Sequence, residues 1–261
     1  MPSVREPAVA GMFYPADPTE LRNTVQGLLA DIAAEGPAPK ALIAPHAGYP
    51  YSGPVAATAY ARLRGIRERI RRVVLLGPSH RVAFYGLACS SAEFFRTPLG
   101  DIPVDQSALA ALRDLPQVHL LDEAHALEHS LEVQLPFLQE VLDNFSLVPL
   151  VVGDARPAEV GEVLEQLWDG PQTLIVISSD LSHYHDYFTA QQMDSATSRA
   201  IERLDPDAIR HEGACGRNPV NGLLYVAARR GLTVHTVDLR NSGDTAGPRD
   251  AVVGYGAYLF S

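Results

Sequence analysis

Three apolar runs of this chain stop abruptly at side chains that can bind a metal ion or transfer a proton. The run KALIAP leads into His46, and the run RVVLLGPS leads into His80. The run TLIVISS leads into a polar stretch that contains Asp180 and His183. Short apolar runs bounded by Gly and Pro are typical of buried strands. Because parallel strands bring their carboxyl ends to one edge of a sheet, we expect these side chains to lie close together.

Segments with strand-like and helix-like patterns alternate along the whole chain, without a linker rich in Ser, Gly or Pro. An Ala-rich helix is expected over residues 54–64. A helical pattern covers residues 123–142, which Pro136 is expected to kink or split. This alternation predicts a single domain over residues 1–261, folded as an α/β sandwich with a central sheet that is mostly parallel or mixed.

The composition argues against several classes of protein. The chain has 31 Asp and Glu against 21 Lys and Arg, so we expect no nucleic-acid partner, because affinity for phosphates is built from basic side chains. Its two cysteines cannot form a disulfide scaffold. No apolar run approaches the length of a membrane span, and the N-terminus lacks a secretory signal pattern. We therefore expect a cytoplasmic protein without a membrane partner.

The residues at the strand ends form a set of ligands suited to a transition metal. Imidazoles gathered with a carboxylate favour iron, copper or zinc. Cys215 could be a ligand or a nucleophile, because it precedes a helix whose dipole and N–H groups would lower the pKa of the thiol. The alternative is that it packs as a small apolar group. Cys89 lies in a strand-like run, where a thiol usually packs as a small apolar group.

A competing motif lies between two of these segments. His125 and His129 match the inverted zinc-protease pattern His-x-x-Glu-His, which places two imidazoles one helical turn apart. The motif is short and arises readily in helices rich in Glu and His. The alternative is a helix with a polar face that carries Glu128 and Glu132 one turn apart.

Two further segments could contact an anion. The basic run over residues 67–72 is interpreted as a solvated connection to the following strand. The loop over residues 241–247, NSGDTAG, could cradle an anion through backbone N–H groups, but a connection between two late strands needs no such role.

Six motifs, in this order and at this spacing, resemble the Memo family, whose bacterial members belong to the AmmeMemoRadiSam system. The resemblance extends from about Arg5 to Phe260, and the combination is far more specific than any one motif. The motifs are PHAGYPYSG, LGPSH, EHSLEVQLPF, SSDLSHY, CGRNPV, and NSGD with VVGYGAY.

The resemblance implies a fold similar to that of the class III extradiol dioxygenases, which are non-haem iron enzymes that cleave aromatic rings. By position, it implies His46, His80 and Cys215 as metal ligands and His183 as an acid/base residue. Asp180 is implied as a neighbour that orients the site or binds the metal. A thiolate in place of a carboxylate favours the softer metals Cu(I) or Zn and changes the redox behaviour of bound iron.

We therefore expect a cytoplasmic metal-binding protein that uses iron or copper, rather than zinc, in a dioxygenase-like or other redox reaction. Its partner would be a small molecule or a peptide, with a functional link to a radical-SAM protein. One alternative is a peptide- or protein-binding module that keeps the pocket without turnover, and another is a zinc hydrolase. The family often carries a second His after His80, where this chain has Arg81, which removes one further ligand.

Overall fold

The apolar runs of the sequence form the central strands of a nine-stranded mixed sheet, within the residues that this computed structural model describes, 2–34 and 36–261. Helices alternate with the strands along the chain. The strands are β1 (Val4–Arg5), β2 (Ala41–Ala44), β3 (Arg72–Pro78), β4 (Leu87–Cys89), β5 (Phe94–Thr97), β6 (Gly100–Pro103), β7 (Val118–Leu120), β8 (Ser146–Val152), β9 (Thr173–Ser178), β10 (His183–His185), β11 (Val234–Asn241) and β12 (Val252–Phe260). The helices are α1 (Pro18–Leu29), α2 (Tyr49–Tyr60), α3 (Gln106–Ala111), α4 (Asp122–Ala126), α5 (Leu135–Val141), α6 (Pro157–Leu167), α7 (Tyr187–Glu202), α8 (Arg217–Arg230) and α9 (Ser242–Thr245).

Four parallel strands form the centre of the sheet, in the order β2, β9, β3, β8. Every residue of β2 and β9 is buried, which explains why both read as continuous apolar runs rather than as alternating patterns. Antiparallel β12 extends the sheet beyond β2, and antiparallel β4 extends it beyond β8. The predicted α/β fold with a mostly parallel or mixed sheet is confirmed.

A second sheet of three strands, in the order β1, β5, β6, lies beside the first. Strands β5 and β6 form a hairpin in which Thr97 pairs with Gly100. The parallel pairing of β1 with β5 fixes the N-terminal segment to the body of the protein.

The helices pack closely against the sheet and against one another. Asp17 caps α1 by accepting the N–H groups of Thr19 and Glu20, both at 2.9 Å. Helices α6 and α8 approach so closely that a Cβ on Gly222 would lie 2.2 Å from Val160. Only glycine fits there, and this contact holds α8 in place next to the central strands. None of the helices in the described residues is long and apolar enough to cross a membrane.

The structure corrects several helix predictions. The Ala-rich helix begins at Tyr49 rather than at Pro54, which lies inside α2. The helical pattern over residues 123–142 is split, as predicted, into α4, a 3-10 turn (Glu132–Gln134) and α5. The break, however, precedes Pro136, which lies in the first turn of α5, where its missing N–H costs nothing.

The loop at residues 241–247 contains the short helix α9, and its capping groups are used internally. The side chain of Asn241 accepts the N–H of Gly243 at 2.9 Å, and Asp244 accepts the N–H of Asn241 at 3.1 Å. A carboxylate already occupies the start of this helix, which leaves no support for an anion cradle.

Candidate metal centre

The ends of β2, β3 and β9 bring side chains that could hold a metal ion to one edge of the sheet. Ala44 pairs with Ser178, and Leu76 pairs with Ile177, so the three strands run in register towards that edge. One ligand atom each from His46, His80 and Cys215 lie within 4.8 Å of one another. Three residues that are distant in sequence therefore form one compact set of nitrogen and sulfur donors.

The orientation of His46 is set by a chain of hydrogen bonds. The hydroxyl of Ser178 donates to the carbonyl of Ser130 at 2.6 Å and accepts from the amide of Gln134 at 2.7 Å. Because its only proton is used, Ser178 must accept from Nδ1 of His46, which lies 2.8 Å away. Nε2 therefore carries the lone pair, and it faces the Sγ atom of Cys215 at 3.4 Å.

His80 is held by the buried carboxylate of Glu128. One oxygen accepts from Nδ1 of His80 at 2.8 Å, and the other accepts the backbone N–H of His80 at 2.6 Å. Burial alone would raise the pKa of Glu128, but the hydrogen bonds from His80 and Ser130 lower it to about 2. The ionised carboxylate keeps the proton on Nδ1 of His80 and leaves Nε2 as the nitrogen with a free lone pair. A carboxylate behind a histidine is the usual support of a metal ligand.

Cys215 lies at the end of a loop pressed against β9. A Cβ on Gly216 would lie 2.6 Å from Cβ of Ser179, so glycine is required for this close approach. The N–H of Asp180 points at Sγ of Cys215 from 3.3 Å. Burial, reinforced by the charge of Asp180, raises the pKa of the Cys215 thiol well above its ordinary value. The expectation that the start of α8 lowers this pKa is wrong, because burial outweighs it.

Asp180 and His183 lie beside the three donors. Asp180 is buried and accepts the backbone N–H of His46 at 2.7 Å, and burial raises its pKa to about 7. Its carboxylate is not part of the convergent donor set, so its geometry is that of a residue that positions the His46 backbone. His183 is half-buried, its Nδ1 lies 2.9 Å from the carbonyl of Leu181, and burial lowers its pKa.

The structure separates the two histidines of the inverted zinc-protease pattern. His125 is buried in α4, and its Nε2 lies 2.9 Å from the carbonyl of Ala88. Helix α4 ends at Ala126, so His129 is not on the same helix. The ring of His129 instead stacks on His80 at 4.6 Å between centroids. The arrangement required for a zinc hydrolase at these two residues is contradicted.

Sequence reasoning missed the roles of Glu128, His129 and Glu132. It placed both glutamates on a polar helix face, but their side chains are only 1% and 0% exposed. His129 packs between the site and the ring of Phe13, 4.8 Å away, and burial lowers its pKa to about 4. His80, Glu128 and His129 form a second group whose ligand atoms lie within 4.8 Å. The only sequence signal for these residues was the motif EHSLE itself.

Glu132 anchors the N-terminal segment beneath the site. It pairs with Arg5, whose side chain is also buried, and it accepts the hydroxyl of Tyr14 at 2.5 Å. It further accepts the N–H groups of Ala8 at 2.8 Å and Val9 at 3.0 Å. This buried network fixes the chain on which Phe13 lies, next to His129.

Comparisons with known proteins match nearly the whole chain. The family model described as "Memo-like protein" matches residues 5–259. A MEMO1 family protein of Aquifex aeolicus is 36% identical over 271 residues, which cover 98% of this chain and 99% of the relative. Another, of Ignicoccus hospitalis, is 36% identical over 289 residues, covering 98% of each chain. The crystal structure of an uncharacterized protein of Escherichia coli K12 is similar in fold, with a TM-score of 0.55 and 17% identity over 84% of this chain and 98% of that one.

Proposed function

The chain belongs to the Memo family, and on that premise we propose that it holds one transition-metal ion through His46, His80 and Cys215. The single observation that carries this proposal is that Nδ1 of both histidines is held by a hydrogen-bond partner. Each ring is thereby fixed with Nε2 free, next to a cysteine sulfur. Two imidazoles with free Nε2 atoms and a sulfur are a donor set that transition metals bind strongly.

We propose iron or copper rather than zinc, because a redox reaction needs a metal that changes oxidation state and zinc does not. A thiol that burial keeps protonated would lose its proton on binding a cation. Iron or copper in this position would supply one-electron redox chemistry. We propose that the protein is a metal-dependent oxidoreductase with a site of the extradiol-dioxygenase type.

His183 is the proposed acid/base residue. Its Nδ1 donates to the carbonyl of Leu181, so Nε2 is the nitrogen that can accept a proton. Because burial lowers the pKa of His183, the ring is neutral near pH 7 and can act as a general base at Nε2. Asp180 holds the backbone of His46 and so keeps its ring in position.

Metal content tests the proposal. The full-length protein is loaded with Fe(II) or Cu, desalted, and analysed for metal per chain, in parallel with a His46→Ala, Cys215→Ser double variant. His119→Ala is the matched control, since His119 is exposed on β7, away from the donor set. We expect a single bound ion in the wild type and the control and its loss in the double variant. Equal stoichiometry in all three would refute the metal centre.

A second candidate function is a peptide- or protein-binding module, favoured by exposed aromatic side chains beside the site. Tyr184 directly follows His183, has a φ of 61° and is 78% exposed, and Phe188 is 72% exposed. Exposed aromatic residues held in fixed positions can anchor a partner. Partner binding that survives loss of all three proposed ligands would favour this function over the oxidoreductase.

A further inference from the structure

A cleft of about 490 Å³ reaches Cys215 from the side of α8. It lies between the segment that follows β3, the end of β8 and the start of α8. Its volume is in the range that encloses a small organic ligand. Cys215 is thus shared between this cleft and the proposed donor set, so a molecule in the cleft would lie next to one of the three proposed ligands.

The walls of the cleft combine apolar and polar groups in about equal measure. Arg217 is the one arginine among them, and the exposed His211 also belongs to the lining. The apolar part includes Val82, Phe84 and Pro219, which lie around Cys215. Asn218 also lines the cleft, but its amide donates to the carbonyl of Gly153 at 2.8 Å and is already used.

Arg217 supplies the cationic group. It lines the cleft and forms no ion pair with any Asp or Glu in residues 2–34 and 36–261, so its guanidinium is available to a ligand. The one acidic residue of the lining is Asp154, which is exposed at the rim.

Taking the metal centre proposed above as its basis, we propose that this cleft binds the substrate, and that the substrate is a small organic carboxylate with an apolar body. The guanidinium of Arg217 would pair with the carboxylate through two parallel hydrogen bonds. The apolar part of the wall, which includes Val82, Phe84 and Pro219, would contact the body and direct it towards Cys215. One guanidinium, opposed by Asp154 at the rim, matches a single negative charge better than a doubly charged phosphate.

Binding of benzoate to the full-length protein tests this inference, with neutral benzamide as the probe of the same shape. Isothermal titration is run on the wild type, Arg217→Gln and Arg217→Lys. Arg210→Gln is the matched control, because Arg210 is an exposed arginine close in sequence that does not line this cleft. Circular dichroism checks that each variant is folded. The Arg217→Lys variant keeps the positive charge but lacks the planar guanidinium that forms two parallel hydrogen bonds.

We expect saturable benzoate binding to the wild type and at least about tenfold weaker binding of benzamide. Arg217→Gln should weaken the affinity for benzoate by about tenfold or more, and Arg210→Gln should leave it at the wild-type value. The affinity of Arg217→Lys should lie between those of the wild type and Arg217→Gln. The inference is overturned if benzoate does not bind, if benzamide binds equally well, or if Arg217→Gln binds as the wild type does.

The same samples separate this inference from the proposed function. Metal content is measured for the Arg217 variants, and benzoate binding is measured for the His46→Ala, Cys215→Ser variant. Normal metal content with no charge-selective benzoate binding would reject the carboxylate cleft alone. If Arg217→Gln loses benzoate binding while the His46→Ala, Cys215→Ser variant keeps the metal content of the wild type, the carboxylate cleft is supported and the metal centre is rejected.

Discussion

The Nδ1 atom of His46 lies 2.8 Å from the hydroxyl of Ser178, whose only proton is donated to the carbonyl of Ser130. The tautomer of His46 is therefore set by a serine two residues before Asp180, at the end of the neighbouring strand. The lone pair on Nε2 faces Cys215 as a consequence of this hydrogen bond. The metal centre proposed for the protein depends on such supporting contacts as much as on the three donors.

Ser178→Ala should weaken metal binding without removing a ligand. The ring of His46 loses the acceptor that fixes its tautomer, and loss of such a partner typically costs about tenfold to 100-fold in metal affinity. Competition with a chelator of known affinity measures the change, with Ser195→Ala on α7 as the control. Unchanged affinity in Ser178→Ala would show that the hydroxyl does not position His46.

Glu128→Ala should also weaken metal binding by about tenfold to 100-fold, because His80 loses its partner at Nδ1. Glu128→Gln should have an intermediate effect. The two carboxylate oxygens of Glu128 accept hydrogen bonds from His80 and Ser130, whereas a Gln amide has only one oxygen that can accept them. Metal affinity and the thermal unfolding temperature are measured together. A loss of stability with wild-type affinity would assign Glu128 a purely structural role.

Glu132→Gln should destabilise the fold by about 3–5 kcal/mol, because it leaves the buried guanidinium of Arg5 without its counter-charge. The control is Asp143→Asn, which breaks an exposed pair with Arg67 and should cost less than about 1 kcal/mol. Urea unfolding gives both values. Equal, small losses in the two variants would contradict the role assigned to the Glu132 network.

Stability should fall below neutral pH because of His125. Burial lowers the pKa of this ring to about 4 in the folded protein, against about 6.5 when unfolded. Between these two pKa values His125 is protonated in the unfolded chain but not in the folded protein. Its contribution to the free energy of unfolding is therefore fully present above pH 6.5 and is lost as the pH falls towards 4. Between pH 7 and pH 5 the loss amounts to about 2 kcal/mol.

The test of this pH dependence is urea unfolding of wild type and His125→Gln at pH 7 and pH 5. The difference in the free energy of unfolding between pH 7 and pH 5 should be about 2 kcal/mol smaller in the variant than in the wild type. The other buried histidines are present in both proteins and cancel in the comparison. An identical pH difference in wild type and variant would contradict the assignment to His125.

The convergence of His46, His80 and Asp180 on one sheet edge could be predicted because its signals are local. An apolar run that stops at Gly or Pro marks the end of a buried strand, and parallel pairing then determines which ends meet. The helix breaks between α4 and α5 were harder to predict, because Pro136 is equally compatible with a kink and with the first turn of a new helix.

The burial of Glu128 and Glu132 could not be predicted, since their partners are distant in sequence. Glu128 contacts His80, which is 48 residues away in the sequence, and Glu132 contacts Arg5, which is 127 residues away. A Glu in a helical pattern is predicted to be exposed to solvent unless the residue that carries its counter-charge is known. The pKa of Cys215 was misjudged for a related reason, because the helix start is visible in the sequence and the burial is not.

X-ray absorption spectroscopy of the iron-loaded protein tests the central claim most directly, because it reports the donor atoms themselves. The His46, His80 and Cys215 centre predicts a sulfur scatterer at about 2.3 Å and imidazole nitrogens at about 2.0–2.1 Å, by analogy with zinc distances. Cys215→Ser should remove the sulfur and leave the imidazoles. A wild-type spectrum without sulfur, or one unchanged in Cys215→Ser, would contradict this centre.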